Sequence, residues 1–173
     1  MLAGTFRRIV TMDTRDFLDA FLRLLEEKKV PYCVIGGQAV NAYVEPLVSL
    51  DLVVVVAMKD FEELFRILGG SFTVSAFPHS LNVSRPGSDL RIQVQTDQRY
   101  DAFIHRAQTR EVLGCRMPVA EISDVLQGKI WAATDPERRG SKRQKDLADI
   151  ARLIEAFPAL RKRVPSSILS HLL

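Results

Sequence analysis

Gly36 and Gly37 stand where the apolar segment YCVI gives way to small residues, and such a pair suits contact with phosphate. Glycine at a strand end lets the backbone approach a ligand closely. The first turn of a following helix then offers free N–H groups and positive potential to an anion. Taken alone, the pair is equally an ordinary tight turn. Asp51 draws interest because it lies within the run LVSLDLVVVV, where an unpartnered carboxylate would be costly. It is either satisfied by Ser49, backbone amides or a nearby cation, or it is a metal or phosphate-site ligand at a strand end. Lys129 follows Val125 and Leu126 at helical spacing, so its stem rises from the apolar stripe of a helix. There its ammonium either meets an anion or snorkels to water over its own aliphatic stem. Arg138, Arg139, Lys142, Arg143 and Lys145 form a basic run, read as a solvated surface or as a contact for an anion or RNA, with Trp131 the one aromatic nearby to stack a base.

The elements that must position these residues follow from periodicity. Phe17, Leu18, Phe21, Leu22 and Leu25 give an amphipathic helix from Asp13, with Asp13 and Asp16 at its start and Lys28 and Lys29 at its end. Residues 32–35 read as a short strand, the two glycines as a turn, and residues 38–43 as a small-residue helix. The apolar run 47–56 predicts a central strand buried on both faces. Residues 59–68 read as a helix that Gly69 and Gly70 end. Residues 72–77, 81–85 and 90–95 predict a three-stranded meander with turns at Pro78-His79 and Pro86-Gly87. Residues 100–107 suggest one or two helical turns, and 111–113 with 116–119 suggest edge strands. Helices follow at 123–134 and 141–155, the second opened by a capping box of Ser141 and Gln144, and a short amphipathic stretch follows Pro165.

Composition narrows the class. A chain of 173 residues with 47% hydrophobic and 26% charged residues is expected to fold as one domain, with a core at about 13–119 and C-terminal helices at about 123–173. The net charge of +3 by itself argues for neither nucleic acid nor membrane. Cys33 and Cys115 lack CxxC spacing and read as two reduced core thiols. His79, His105 and His171 lack metal-ligand spacing. With no apolar run near the ~20 residues of a membrane span, and no signal-peptide pattern, a cytoplasmic location is expected.

CVIGGQAVNAY followed by PLVSLDLVVVV resembles the opening of the polymerase-beta-like nucleotidyltransferases, and KIWAATDPERRGSKRQKDLADIARL resembles the tail of their minimal and abortive-infection toxin-like members. The resemblance spans roughly residues 34–153. It implies an α/β (α+β) fold, a central mixed sheet flanked by helices with a helical C-terminal portion. It implies transfer of a nucleotide from a nucleoside triphosphate to a protein or RNA acceptor, with Mg2+ held by carboxylates. On this sequence it assigns Gly36, Gly37, Ser49 and Lys129 to nucleotide binding, and Asp51 to catalysis and metal binding as the first acid.

The second acid's position is Val53 and the third falls at Gln93, neither of which supplies an anionic ligand. Leu47 and Val48 stand where an arginine often precedes the acids. Asp97 or Asp89 would reach the site only if their strand bulged. Transfer is therefore expected to be weak or absent. The alternative from a different class is a non-catalytic binding module for a partner protein or RNA, of the kind found in toxin–antitoxin pairs, with no membrane partner.

Overall fold

The computed structural model describes residues 2–172, with side chains for residues 13–172. Helix α1 (Leu2–Glu27) buries Phe17, Leu18, Phe21 and Leu25 at helical spacing. Strand β1 (Tyr32–Ile35) runs straight into α2 (Gly36–Asn41), and β2 (Asp51–Val56) returns antiparallel beside β1. Helix α3 (Phe61–Gly69) is capped by Asp60, whose carboxylate accepts from the Glu63 amide at 3.0 Å. The meander follows as β3 (Thr73–Phe77), β4 (Ser80–Ser84) and β5 (Arg91–Gln95). Helix α4 (Asp101–Arg106) leads to the hairpin of β6 (Gln108–Val112) and β7 (Cys115–Val119). Helices α5 (Ile122–Thr134), α6 (Gly140–Ala156) and α7 (Ser166–Leu169) complete the described chain.

The strands form one mixed sheet in the order β3-β4-β5-β2-β1-β7-β6. Strand β2 is its middle strand, antiparallel to β1 and parallel to β5. Its apolar content suits that place, since Leu52, Val54, Val55 and Val56 are all buried. Beside it, β5 alternates, with Ile92 and Val94 buried and Arg91, Gln93 and Gln95 on the other face.

Four expectations are corrected. The first helix begins at Leu2, so Asp13 and Asp16 lie within it rather than in its first turn. The middle strand begins at Asp51 rather than at Leu47, and Leu47, Val48 and Leu50 are exposed. The physical reason is that side chains satisfy this backbone before a strand ladder can. Asn41 bonds both the N–H and the C=O of Leu47, the Gln38 amide donates to the Ser49 carbonyl, and Arg152 donates to the Glu45 carbonyl. The capping box of Ser141 and Gln144 is not used, because α6 starts at Gly140 with Arg139 as its N-cap and Ser141 is already helical. Cys33 is buried, and burial pushes its thiol up to about 12, but Cys115 is only partly buried, so one of the two core thiols is not in the core.

Candidate functional site

The end of β1, the start of β2 and the start of β5 meet at one corner of the sheet. Gly36 closes β1 with φ +72°, a left-handed conformation that disfavours any side chain. A Cβ at this position would lie 3.3 Å from Val53 Cγ2, so backbone and neighbour both ask for glycine. Gly36→Ala is expected to cost at least about 1–2 kcal/mol, the usual penalty of this conformation. A Cβ on Gly37 would meet nothing nearer than Asp149 Oδ2 at 3.8 Å, an ordinary contact, so Gly37→Ala should be nearly neutral. Urea unfolding of the two variants measures that contrast.

The antiparallel register ends at the Ile35–Val53 pair, where the chain turns into α2 at Gly36, and Asp51 opens β2 two residues before Val53. Asp51 is about half exposed and is therefore not the buried acid its apolar neighbours suggested. Its amide donates to Ser49 Oγ at 3.2 Å, which turns the chain into β2. Its carboxylate takes Arg91 Nε at 2.8 Å. Asp51 and Arg91 are register partners across the parallel β2–β5 pair, and one step on along the same face Val53 pairs with Gln93. This register runs in step from Asp51–Arg91 to Val55–Gln95, without the bulge that would bring in another acid. Asp97 lies past the far end of β5, bonded to Arg99 at 3.0 Å, and Asp89 is exposed in the preceding loop. Hydrogen bonds from Arg99 and its charge hold Asp97 below the usual carboxylate range, against an opposing push from burial.

Lys129 reaches the corner from α5 and is 8% exposed. Its ammonium lies 2.8 Å from Asp149 Oδ2 and 3.1 Å from Asp146 Oδ1, so its head neither snorkels to water nor stands free. Arg138 holds Asp146 through Nε at 2.8 Å and Nη2 at 3.1 Å. Arg152 holds Asp149 at 2.8 Å and also reaches Asn41 and the Glu45 carbonyl. Three cations surround two carboxylates, a surplus of one positive charge (3 − 2), and the network joins α5, α6, α2 and the loop before β2. Asp149 thus pairs with Lys129 on the side of the glycine turn, its Oδ2 3.8 Å from where a Gly37 Cβ would stand.

Sequence reasoning missed Asp146, Asp149, Arg152 and Arg91 as parts of this corner. The signal for the first three was the spacing of three along one helix, combined with a lysine on an apolar stripe that needs a counter-charge. Arg91 gave no signal before the strand pairing was known. The basic run is also partly committed to structure: Arg138 binds Asp146, and Arg143 donates to the Ala133 and Asp135 carbonyls at the end of α5. Trp131 is stacked on Phe103, with ring centroids 5.7 Å apart, and Arg99 lies over its ring at 5.0 Å, so it is already engaged and not a free platform for a base. Among the described residues, no group of three or more His, Cys, Asp or Glu is placed to hold a metal ion.

No protein-family model matches the sequence, and comparison with curated proteins finds no match. Solved structures do match. The antibiotic-resistance factor ANT(2'')-Ia in solution superposes with a TM-score of 0.54 at 11% identity, over 96% of this chain and 96% of that one. The same factor in complex with adenylyl-2''-tobramycin gives 0.53 at 13% identity, over 86% and 97%. The lincosamide antibiotic adenylyltransferase LnuA, with lincomycin bound, gives 0.50 at 10% identity, over 79% of this chain and 95% of that one. The chain has the nucleotidyltransferase fold. The mixed sheet and flanking helices expected from the sequence are those of this fold. Identities this low establish the architecture and leave the chemistry to the residues. Among the described residues, no helix is long and apolar enough to cross a membrane.

Proposed function

We propose that this nucleotidyltransferase-fold chain is a binding module in which metal-dependent nucleotidyl transfer is weak or lost. The observation that supports this most is the Asp51–Arg91 pair at 2.8 Å. A two-metal transfer site needs clustered carboxylates to draw water from magnesium and to share its charge. Here the first-acid position already has a guanidinium partner, and the next step of the same face offers an aliphatic side chain and a neutral amide. The residues present do not fit Mg2+. Gly36, Gly37 and Ser49 remain as a turn that can meet a nucleotide, while Lys129 serves it through Asp149 rather than by direct contact. The functional partner on this reading is a protein or RNA, as in a toxin–antitoxin pair, met in the cytoplasm by one folded domain.

A second reading keeps transfer, and the half-exposed Asp51 at a strand start favours it. The acceptor is then a protein or RNA, or a small molecule such as the lincomycin bound to LnuA. Calorimetric titration with magnesium, alone and with each nucleoside triphosphate, separates the readings. The binding-module reading expects no micromolar magnesium affinity and no transfer of labelled nucleotide. Micromolar magnesium binding without nucleotide, abolished by Asp51→Asn, would overturn it.

A further inference from the structure

The two edges of the sheet are guarded differently. Edge strand β6 carries Arg110 and Glu111, whereas edge strand β3 carries no charge at all. Residues 69–84 contain no Asp, Glu, Lys or Arg in a chain that is 26% charged. Soluble proteins usually blunt an open edge with charge, proline or a bulge, because its unpaired N–H and C=O groups invite another strand. Within Thr73–Phe77 there is no proline, and pairing with β4 runs unbroken from Thr73–Ser84 to Phe77–Ser80. Thr73, Ser75, Ala76 and Phe77 are exposed.

The connection between β3 and β4 has two residues, Pro78 and His79, which makes Phe77–Ser80 the closing hydrogen-bonded pair of the hairpin. Thr73, Ser75 and Phe77 then turn their backbone groups towards β4, and Val74 and Ala76 turn theirs outward. Among the described residues, those outward groups have no other backbone partner.

We propose that β3 pairs with β3 of a second copy of this chain, antiparallel about a two-fold axis through Ser75. The edge is self-complementary in that register. Val74 faces Ala76 of the partner subunit, each pair exchanging both backbone bonds, about four in all by the antiparallel pattern. Ser75 faces its own copy at the non-bonded position. Phe77 lies level with Thr73 of the partner subunit, and no like charges meet, since the strand has none. Such an isologous contact closes on itself as a dimer and does not propagate. The proposal is independent of the reading of the Asp51 corner.

Sedimentation over a wide concentration range tests it. The average mass is expected to rise from 19.5 kDa towards twice that value. Ser75→Lys should hold the protein at the monomer mass with an unchanged circular dichroism spectrum, while Thr109→Lys on the opposite edge should leave dimerisation intact. Ser75→Cys gives a positive test, because directly opposed non-bonded residues have Cα atoms about 4.5 Å apart, within disulfide reach. With oxidised glutathione as the electron acceptor it should form a covalent dimer, and Thr109→Cys should not. A wild-type protein that stays at 19.5 kDa throughout, a dimer that survives Ser75→Lys, or equal cross-linking by Thr109→Cys would each overturn the proposal.

Discussion

Asp146→Ala is expected to lower the unfolding free energy by about 3–5 kcal/mol, the usual cost of removing one partner from a buried ion pair. Asp146 is 1% exposed and accepts from both Lys129 and Arg138, while Lys129 is itself buried. Without Asp146 the ammonium keeps Asp149, but it loses half of its counter-charge in a largely buried place. Arg138 loses its one carboxylate and the two bonds that fix the chain between α5 and α6. Single domains are stable by roughly 5–15 kcal/mol, so the loss is a large share of the total. For a chain of this size it corresponds to a fall in melting temperature on the order of 10 °C. The exposed Arg66–Glu63 pair at 3.6 Å supplies the control, since Arg66→Ala should change stability by less than about 0.5 kcal/mol. Equal, small effects of the two substitutions in urea unfolding would show that the buried network does not hold α5 to α6.

Restoring carboxylates by Val53→Asp with Gln93→Asp is expected to destabilise the protein by several kcal/mol and to make it respond to magnesium. Both positions are partly buried and are register partners, so the two new charges face each other one step from Asp51. Three carboxylates then share one end of a sheet face with a single guanidinium, Arg91. Like charges at this spacing repel, and the Val53→Asp change also removes an apolar side chain that packs against Gly36. Magnesium binds the folded state of such a cluster preferentially, and at a hundred times its dissociation constant it returns about 2.7 kcal/mol. The melting temperature of the double variant should therefore rise with magnesium, and that of the parent should not. A parent that responds as strongly, or a double variant that does not respond, would show that Val53 and Gln93 do not mark the missing acid positions.

Periodicity and turn signals together placed the helices and strands of this protein to within a few residues, except the start of α1, which lies well before the expected Asp13. The rhythm of Phe17, Phe21 and Leu25, the apolar density of Leu52–Val56 and the turn signals Pro78-His79 and Pro86-Gly87 are local properties that the final packing reinforces. Gly36-Gly37, Asp51 and Lys129 also stood out locally, because each residue type is unusual in its setting. What each of them touches was decided only in three dimensions. Asp51 was expected inside an apolar strand, yet side chains from Gln38, Asn41 and Arg152, the last 107 positions from its partner Glu45, hold the preceding loop away from the ladder and leave Asp51 at the strand's open start. Arg91 becomes its partner only because β2 and β5, separated by a helix and a hairpin, pair in parallel at that register. Lys129 looked equally suited to phosphate or to water until α6 folded over α5 and set Asp146 and Asp149 against it. Hydrophobic spacing is a one-dimensional signal that a short window contains, whereas the partner of a charge depends on strand register and helix docking. Those are chosen by the burial of the whole core, to which no single charged residue contributes much.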